Sequence, residues 1–228
     1  MNPWDRHRLT PARIAEMVLA FCGLMAAFYV NYLAGRLADT QGELARPSPD
    51  LLLSTLPVVD LRVLFVWGFA VFLVWAFAAG WLYERHRGAH ILWLYALLIL
   101  VRSGFMILTP MHLPKGALLV DGQSFLMSIG QYINFKHDLF FSAHTAMPYL
   151  GYLVHRKRWV AWSFLGLSVL MAVTVLLTRL HYSIDVLAAY FITYALYRFE
   201  RRWLRRPYRR LRHAAFVRLR GPGPGLVD

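Results

Sequence analysis

The stretch from Leu61 to Tyr83, LRVLFVWGFAVFLVWAFAAGWLY, carries one charge, at its second position, and otherwise runs apolar to its end. A helix of that length crosses a bilayer core, which takes roughly 20 apolar residues. Working outward, five more runs stand out: Ile14 to Leu33, Ile91 to Thr109, Leu139 to Val154, Val160 to Leu177 and Tyr182 to Tyr197. The fourth and sixth of the set are short for a full crossing and begin with polar residues. Composition agrees, with 58% hydrophobic, 15% aromatic and only 16% charged residues, well away from a soluble domain. The expected fold is all-α: a polytopic membrane protein with six transmembrane helices and both termini cytoplasmic. It divides into a cytoplasmic segment at residues 1–13, a membrane domain at 14–199 and a basic tail at 200–228.

Orientation follows from the short loops, because those rich in Lys and Arg stay in the cytoplasm. With the N-terminus inside, 18 of the 25 basic residues fall on the cytoplasmic side, ten of them between Arg198 and Arg220. The opposite side holds Arg36, Arg46, Arg62, Lys115, Lys136 and Arg179, while Arg102 lies within the third run. The net charge of +13 is therefore read as topology, with no nucleic acid as partner. The tail is expected to rest on anionic lipid, where each basic residue contributes about 1 kcal/mol. Arginine greatly outnumbers lysine, as in GC-rich bacterial genes, which points to a bacterial inner membrane. The single cysteine, Cys22, excludes an intramolecular disulfide and a cysteine-based metal site. The first run is too long for a signal-peptide core and lacks a small-residue cleavage site, so it is read as a retained helix.

Two polar clusters fall on the same, non-cytoplasmic face. Asp138, Ser142, His144 and Thr145 open the fourth run; Arg179, His181, Tyr182, Ser183 and Asp185 open the sixth. Ionisable residues at such positions are costly and default to a functional reading. His181 and Asp185 are four apart, so on a helix they share a face and the carboxylate can hold the imidazole. That is the orienter and base of a nucleophilic site, or else a structural pair closing a helix end. His144, from another helix, could act as acid or base. Two helix N-termini would add positive dipole ends for a phosphate. Asp138 is either an N-cap or a site residue. Arg102 either snorkels or contacts phosphate, and Arg179 is equally open. Tyr182, His112 and His155 read as packing or surface residues.

The two clusters resemble a known family. His137-Asp138-Leu139-Phe140-Phe141-Ser142-Ala143-His144-Thr145 is similar to the D-x3-S-G-H-T motif of the sphingomyelin synthase family, a branch of the type 2 phosphatidic acid phosphatase (PAP2) superfamily. His181-Tyr182-Ser183-Ile184-Asp185-Val186, with Tyr190 downstream, resembles that family's second motif. Weaker likenesses lie at Tyr95, at Arg102 to Pro114, and at Pro57 with Asp60, so the resemblance spans roughly residues 47 to 200. It implies six helices and a catalytic triad of His144, His181 and Asp185 working through a phosphohistidine. His181 would take the phospho-head group of a membrane phospholipid, and a ceramide-like lipid hydroxyl would accept it, with Asp138, Ser142, Arg102 and Arg179 around the substrate. No metal and no cofactor are implied. Ala143 stands where the motif has Gly, and Lys136-His137 where Cys-Gly is common. The alternatives are a lipid phosphatase or phospholipase C-like hydrolase with the same triad, and a non-enzymatic transporter or structural protein.

Overall fold

A computed structural model describes residues 11–120 and 137–204; Gln123, Lys136 and most of the basic tail lie outside them. The described residues form helices and no strand. In chain order these are α1 (Pro11–Gly42), α2 (Leu51–Thr55), α3 (Arg62–Tyr83), α4 (Gly88–Leu108), α5 (Ala143–Val154), α6 (Arg158–Leu177) and α7 (Ser183–Phe199). A 3₁₀ turn at Arg85–Arg87 joins α3 to α4, and a π turn at Glu200–Leu204 follows α7.

Among the described residues four stretches are long and apolar enough to cross a membrane: Arg13–Gly42, Arg62–Tyr83, Arg85–Leu108 and Arg158–Leu177. Large apolar side chains face outward along them, with Val74 72% and Phe77 78% exposed on α3. Lipid is as apolar as those side chains, so helix association rests on packing and on small residues that permit close approach. α1 shows this: it packs on α4 through Ala20, Ala27, Ala34 and Ala38, all buried, with Gly23 against the Trp93 ring. The short α5 sits at the centre, packed on α6 and α7 and touching α4. Phe72, Leu94, Leu98, Phe141, Leu150 and Phe164 fill the space between.

The two short runs differ from their expected limits for a common reason. α5 has 12 residues, about 18 Å of helix, and begins at Ala143 rather than Leu139. The segment before it is irregular, yet its main-chain groups are satisfied by side chains and loops. Arg102 Nε donates to Phe141 O at 2.9 Å, and Ser142 N–H donates to Asp185 O at 3.3 Å. Non-helical backbone at membrane depth is tolerated where it is buried in protein this way. α7 has 17 residues and starts at Ser183. α1, by contrast, overruns its expected end at Leu33 by a further nine residues, to Gly42. Its last turns are held by tertiary contact: Asp39 Oδ1 accepts the His137 N–H at 2.8 Å, and Gly42 lies against the His137 ring with no room for a Cβ.

Candidate active site

The turn between α6 and α7 sets the position of His181. Arg179 adopts the left-handed conformation (φ 55°) at the end of α6, a cost of roughly 1–2 kcal/mol for a residue with a Cβ. Its guanidinium offsets that by bracing two segments: Nη1 donates to Lys115 O at 2.9 Å, and Nη2 to Leu53 O at 3.0 Å and Leu56 O at 3.5 Å. Arg179 is therefore a clamp on the turn in this structure, its fork directed at main-chain carbonyls. Val59 N–H on Leu177 O and Leu118 N–H on Thr178 O, both at 3.0 Å, tie the same turn to the two loops.

His181 precedes α7 rather than lying within it, so the spacing argument for the His181–Asp185 pair holds only loosely. Nδ1 of His181 lies 2.9 Å from Leu139 O and 3.5 Å from Asp185 Oδ2. A carbonyl only accepts, so Nδ1 carries a proton, and in the neutral imidazole Nε2 keeps its lone pair. Nε2 has no partner among the described residues. Asp185 is completely buried at the third position of α7, and Oδ2 reaches back to the Tyr182 N–H at 2.8 Å. The carboxylate thus closes the helix end and faces the imidazole at once; the two readings of this pair are compatible.

His144, near the start of α5, is buried between two aromatic rings of α3. Its centroid lies 4.0 Å from Phe65, stacked, and 4.4 Å from Phe69. Two links place it near His181: Leu139 O on the His181 ring, and Ser142 N–H on Asp185 O. Ser142 is the residue before α5, fully buried, and its Oγ accepts from Thr145 Oγ1 at 3.4 Å rather than capping the helix. The amides of Ala143, His144 and Thr145 precede the first helical bond, Ala146 N–H to Ser142 O, and have no partner among the described residues. At α7 the first amides are occupied, Tyr182 by Asp185 and Ser183 by Asp50 Oδ2 at 2.7 Å. Among the described residues the α5 start thus leaves three amides for an anion, while in the first turn of α7 the Ile184 N–H is left.

Arg102 is buried and heavily bonded. Nε holds Phe141 O, Nη1 holds Asn31 Oδ1 at 2.9 Å, and Nη2 forms an ion pair with Asp138. Each terminal nitrogen keeps one further N–H. Arg102 therefore does not snorkel, and Asp138 is an ion-pair partner rather than an N-cap. Asn31 also accepts from Ser103 Oγ at 3.3 Å.

Several contributors escaped the sequence reading. Asn31 is a polar residue near the end of the first run, a signal that was present but carried no distance information. Phe65 and Phe69 were indistinguishable from other aromatics on α3. Tyr182 is buried rather than interfacial, with its hydroxyl donating to His112 O at 2.8 Å and accepting the Ser48 N–H at 3.1 Å. His155, expected at the surface, is buried and stacked on Phe164 at 4.7 Å, where desolvation pushes its pKa down. Asp50 caps α2 through Oδ1, on Leu53 N–H at 3.0 Å, while Oδ2 reaches Ser183. Burial acts on its carboxyl upward, but the Leu53 and Ser183 N–H groups outweigh it and hold the pKa below the ordinary value.

Among the described residues no three His, Cys, Asp or Glu side chains converge as a metal site. No curated protein matches the chain. Residues 137–202 match the family model described as PAP2 superfamily C-terminal, a segment holding His144, His181 and Asp185. That segment is therefore similar to the C-terminal part of the PAP2 superfamily, whose members are phosphatases and phosphotransferases acting at membranes.

Proposed function

We propose that this protein transfers a phospho-head group from a glycerophospholipid to a lipid hydroxyl, of the ceramide type, through a phosphohistidine at His181. The observation carrying this reading is the imidazole of His181, whose Nδ1 is committed to Leu139 and Asp185 and whose Nε2 is left as nucleophile. Nε2 attacks phosphorus, the P–O bond to diacylglycerol breaks, and His144 gives the leaving oxygen its proton. In the second half the acceptor hydroxyl returns a proton to His144 and attacks phosphorus, and the N–P bond breaks. The free amides at the start of α5, with the two spare N–H groups of Arg102, supply donors for the phosphoryl oxygens. Ser142 lies beside them, while Asp138 acts through Arg102.

The setting we propose is a bacterial inner membrane, with α1, α3, α4, α5, α6 and α7 as six crossings, both ends in the cytoplasm and the site on the outer face. Residues 14–199 then form the catalytic domain and the tail from residue 200 lies on anionic lipid. The deciding experiment incubates purified protein in detergent with phospholipid labelled at phosphorus, with and without ceramide. Label should move to ceramide. Free phospho-head group in both samples would mean hydrolysis with the same triad, and no turnover of any phospholipid would overturn the reading.

A further inference from the structure

We infer that Asp50 is a positioning residue for His181: its carboxylate fixes the start of α7 by accepting the Ser183 N–H. The inference rests on the reading of His181 as nucleophile and assigns Asp50 no contact with substrate. Both oxygens are committed, Oδ2 to Ser183 at 2.7 Å and Oδ1 to Leu53 at 3.0 Å. One side chain therefore joins the starts of α2 and α7, with Asp50 and Ser183 133 positions apart. Its negative charge also sits at the positive end of α7, where a carboxylate is favoured.

The neighbourhood shows what this bond steadies. The segment carrying Asp50 meets the His181 turn at four more points: Ser48 N–H on the Tyr182 hydroxyl, Leu53 O and Leu56 O on Arg179, and Val59 N–H on Leu177 O. Of the five contacts, the Asp50 bond is the one made to a main-chain group of α7 itself, between His181 and Asp185. The imidazole position depends on that start twice, through the chain at Tyr182 and through Asp185, whose Oδ2 holds the Tyr182 N–H. Releasing Ser183 lets both groups drift relative to Leu139, and a displacement of about 1 Å at a reacting group costs on the order of 10²-fold in rate.

Ser183→Pro removes the N–H together with the hydroxyl, which also bonds Asp50, and Ser183→Ala removes the hydroxyl alone. Ser183 is the first residue of α7, where proline is well tolerated, and Tyr182 (φ −74°, ψ 159°) already has the extended conformation required before proline. Asp50→Ala, Ser183→Pro, Ser183→Ala and the Asp50→Ala/Ser183→Pro double variant are compared for kcat and KM on labelled phospholipid. Hydrogen exchange of the amides from Ser183 to Val186 is followed in Asp50→Ala. Asp50→Ala and Ser183→Pro should each lower kcat by roughly 10- to 100-fold with KM little changed. The double variant should lose no more than the worse single, and Ser183→Ala, which keeps the N–H, should lose less than Ser183→Pro. Exchange should be faster in Asp50→Ala. A normal kcat in Ser183→Pro, or losses that multiply in the double variant, would show that Asp50 acts only through Leu53 and overturn the inference. If Asp50→Ala fails to insert, Ser183→Pro decides alone, since it leaves the Asp50–Leu53 bond in place. If the unaltered protein turns over no phospholipid, the proposed function falls, and unchanged exchange in Asp50→Ala would then overturn the positioning role separately.

Discussion

The carbonyl oxygen of Leu139 holds Nδ1 of His181 at 2.9 Å, closer than the Asp185 carboxylate at 3.5 Å. A main-chain group in the irregular stretch before α5 thus fixes the ring that belongs to the turn before α7. The backbone cannot be mutated away, so the tautomer of His181 survives changes at Asp185. In the proposed reaction this divides the work of the site: Leu139 selects the tautomer, and Asp185 stabilises the positive charge that would build on the ring during attack.

The first prediction follows from that division. His181→Ala should abolish turnover, whereas Asp185→Asn should lower kcat by about 10- to 100-fold while expression and insertion persist. An asparagine can still accept the Tyr182 N–H but offers no charge to the imidazolium. Steady-state kinetics on purified variants separate the two. Loss in Asp185→Asn as complete as in His181→Ala would mean that Leu139 does not hold the ring during reaction.

A second prediction concerns the buried pair of Arg102 and Asp138. Removing one partner leaves an uncompensated charge among Asn31, Phe141 and Ser142, which costs about 3–5 kcal/mol. Arg102→Met and Asp138→Leu should each lower thermal stability in detergent, and the double variant should regain much of it. Activity should stay low in the double variant if the spare N–H groups of Arg102 face phosphate. Recovery of both properties together would make Arg102 purely structural.

The apolar runs were legible because bilayer and helix length act on composition alone. What holds the site in place was legible only in part, for reasons that differ by residue. The last turns of α1, from Ala34 to Gly42, are too polar to read as membrane helix, and they persist because Asp39 and Gly42 dock on His137. The true start of α5 depends on Arg102 and Asp185 satisfying backbone groups around Phe141 and Ser142, a tertiary effect with no local pattern. Arg179 occupies a left-handed position where glycine would have announced the helix end. A carboxylate bonded to a distant N–H, as Asp50 is to Ser183, leaves no periodic trace at all. The histidines and Asp185 were visible because ionisable groups among apolar residues stand out wherever they are.

Topology gives a third prediction, motivated by the distribution of arginines. In a Cys22→Ala background, a cysteine at Glu43, an exposed position at the end of α1, should react with an impermeant maleimide in intact cells. A cysteine at Arg202, also exposed, should react only after the membrane is opened. Labelling of position 202 in intact cells would reverse the orientation and move the site to the cytoplasm.

The aromatic bracket around His144 supplies a fourth. Phe65 and Phe69 hold the imidazole at 4.0 and 4.4 Å, and aromatic pairs of this kind contribute about 0.5–1.5 kcal/mol each beyond burial. Replacing both by leucine keeps the apolar volume nearly constant but loosens the ring, so kcat should fall by roughly 10-fold with insertion unchanged. An unaltered kcat in the double leucine variant would show that the bracket does not orient His144.

The last prediction separates the two histidines by role. His144 comes from α5 and has aromatic neighbours, whereas His181 has both a carbonyl and a carboxylate on Nδ1. If His181 carries the phosphoryl group, rapid quenching with phospholipid labelled at phosphorus should trap acid-labile, base-stable label on the protein. In His144→Ala the leaving oxygen lacks its proton donor, so label should form about 10²- to 10⁴-fold more slowly. A substrate with a better leaving group, such as a nitrophenyl phosphodiester, needs little protonation and should restore much of that first step. Transfer to the acceptor should stay slow, because its hydroxyl still lacks a base. His181→Ala should gain nothing from the improved leaving group, since the nucleophile itself is missing. Equal rescue of both variants, or label recovered on His144, would exchange the two roles and place the nucleophile on α5.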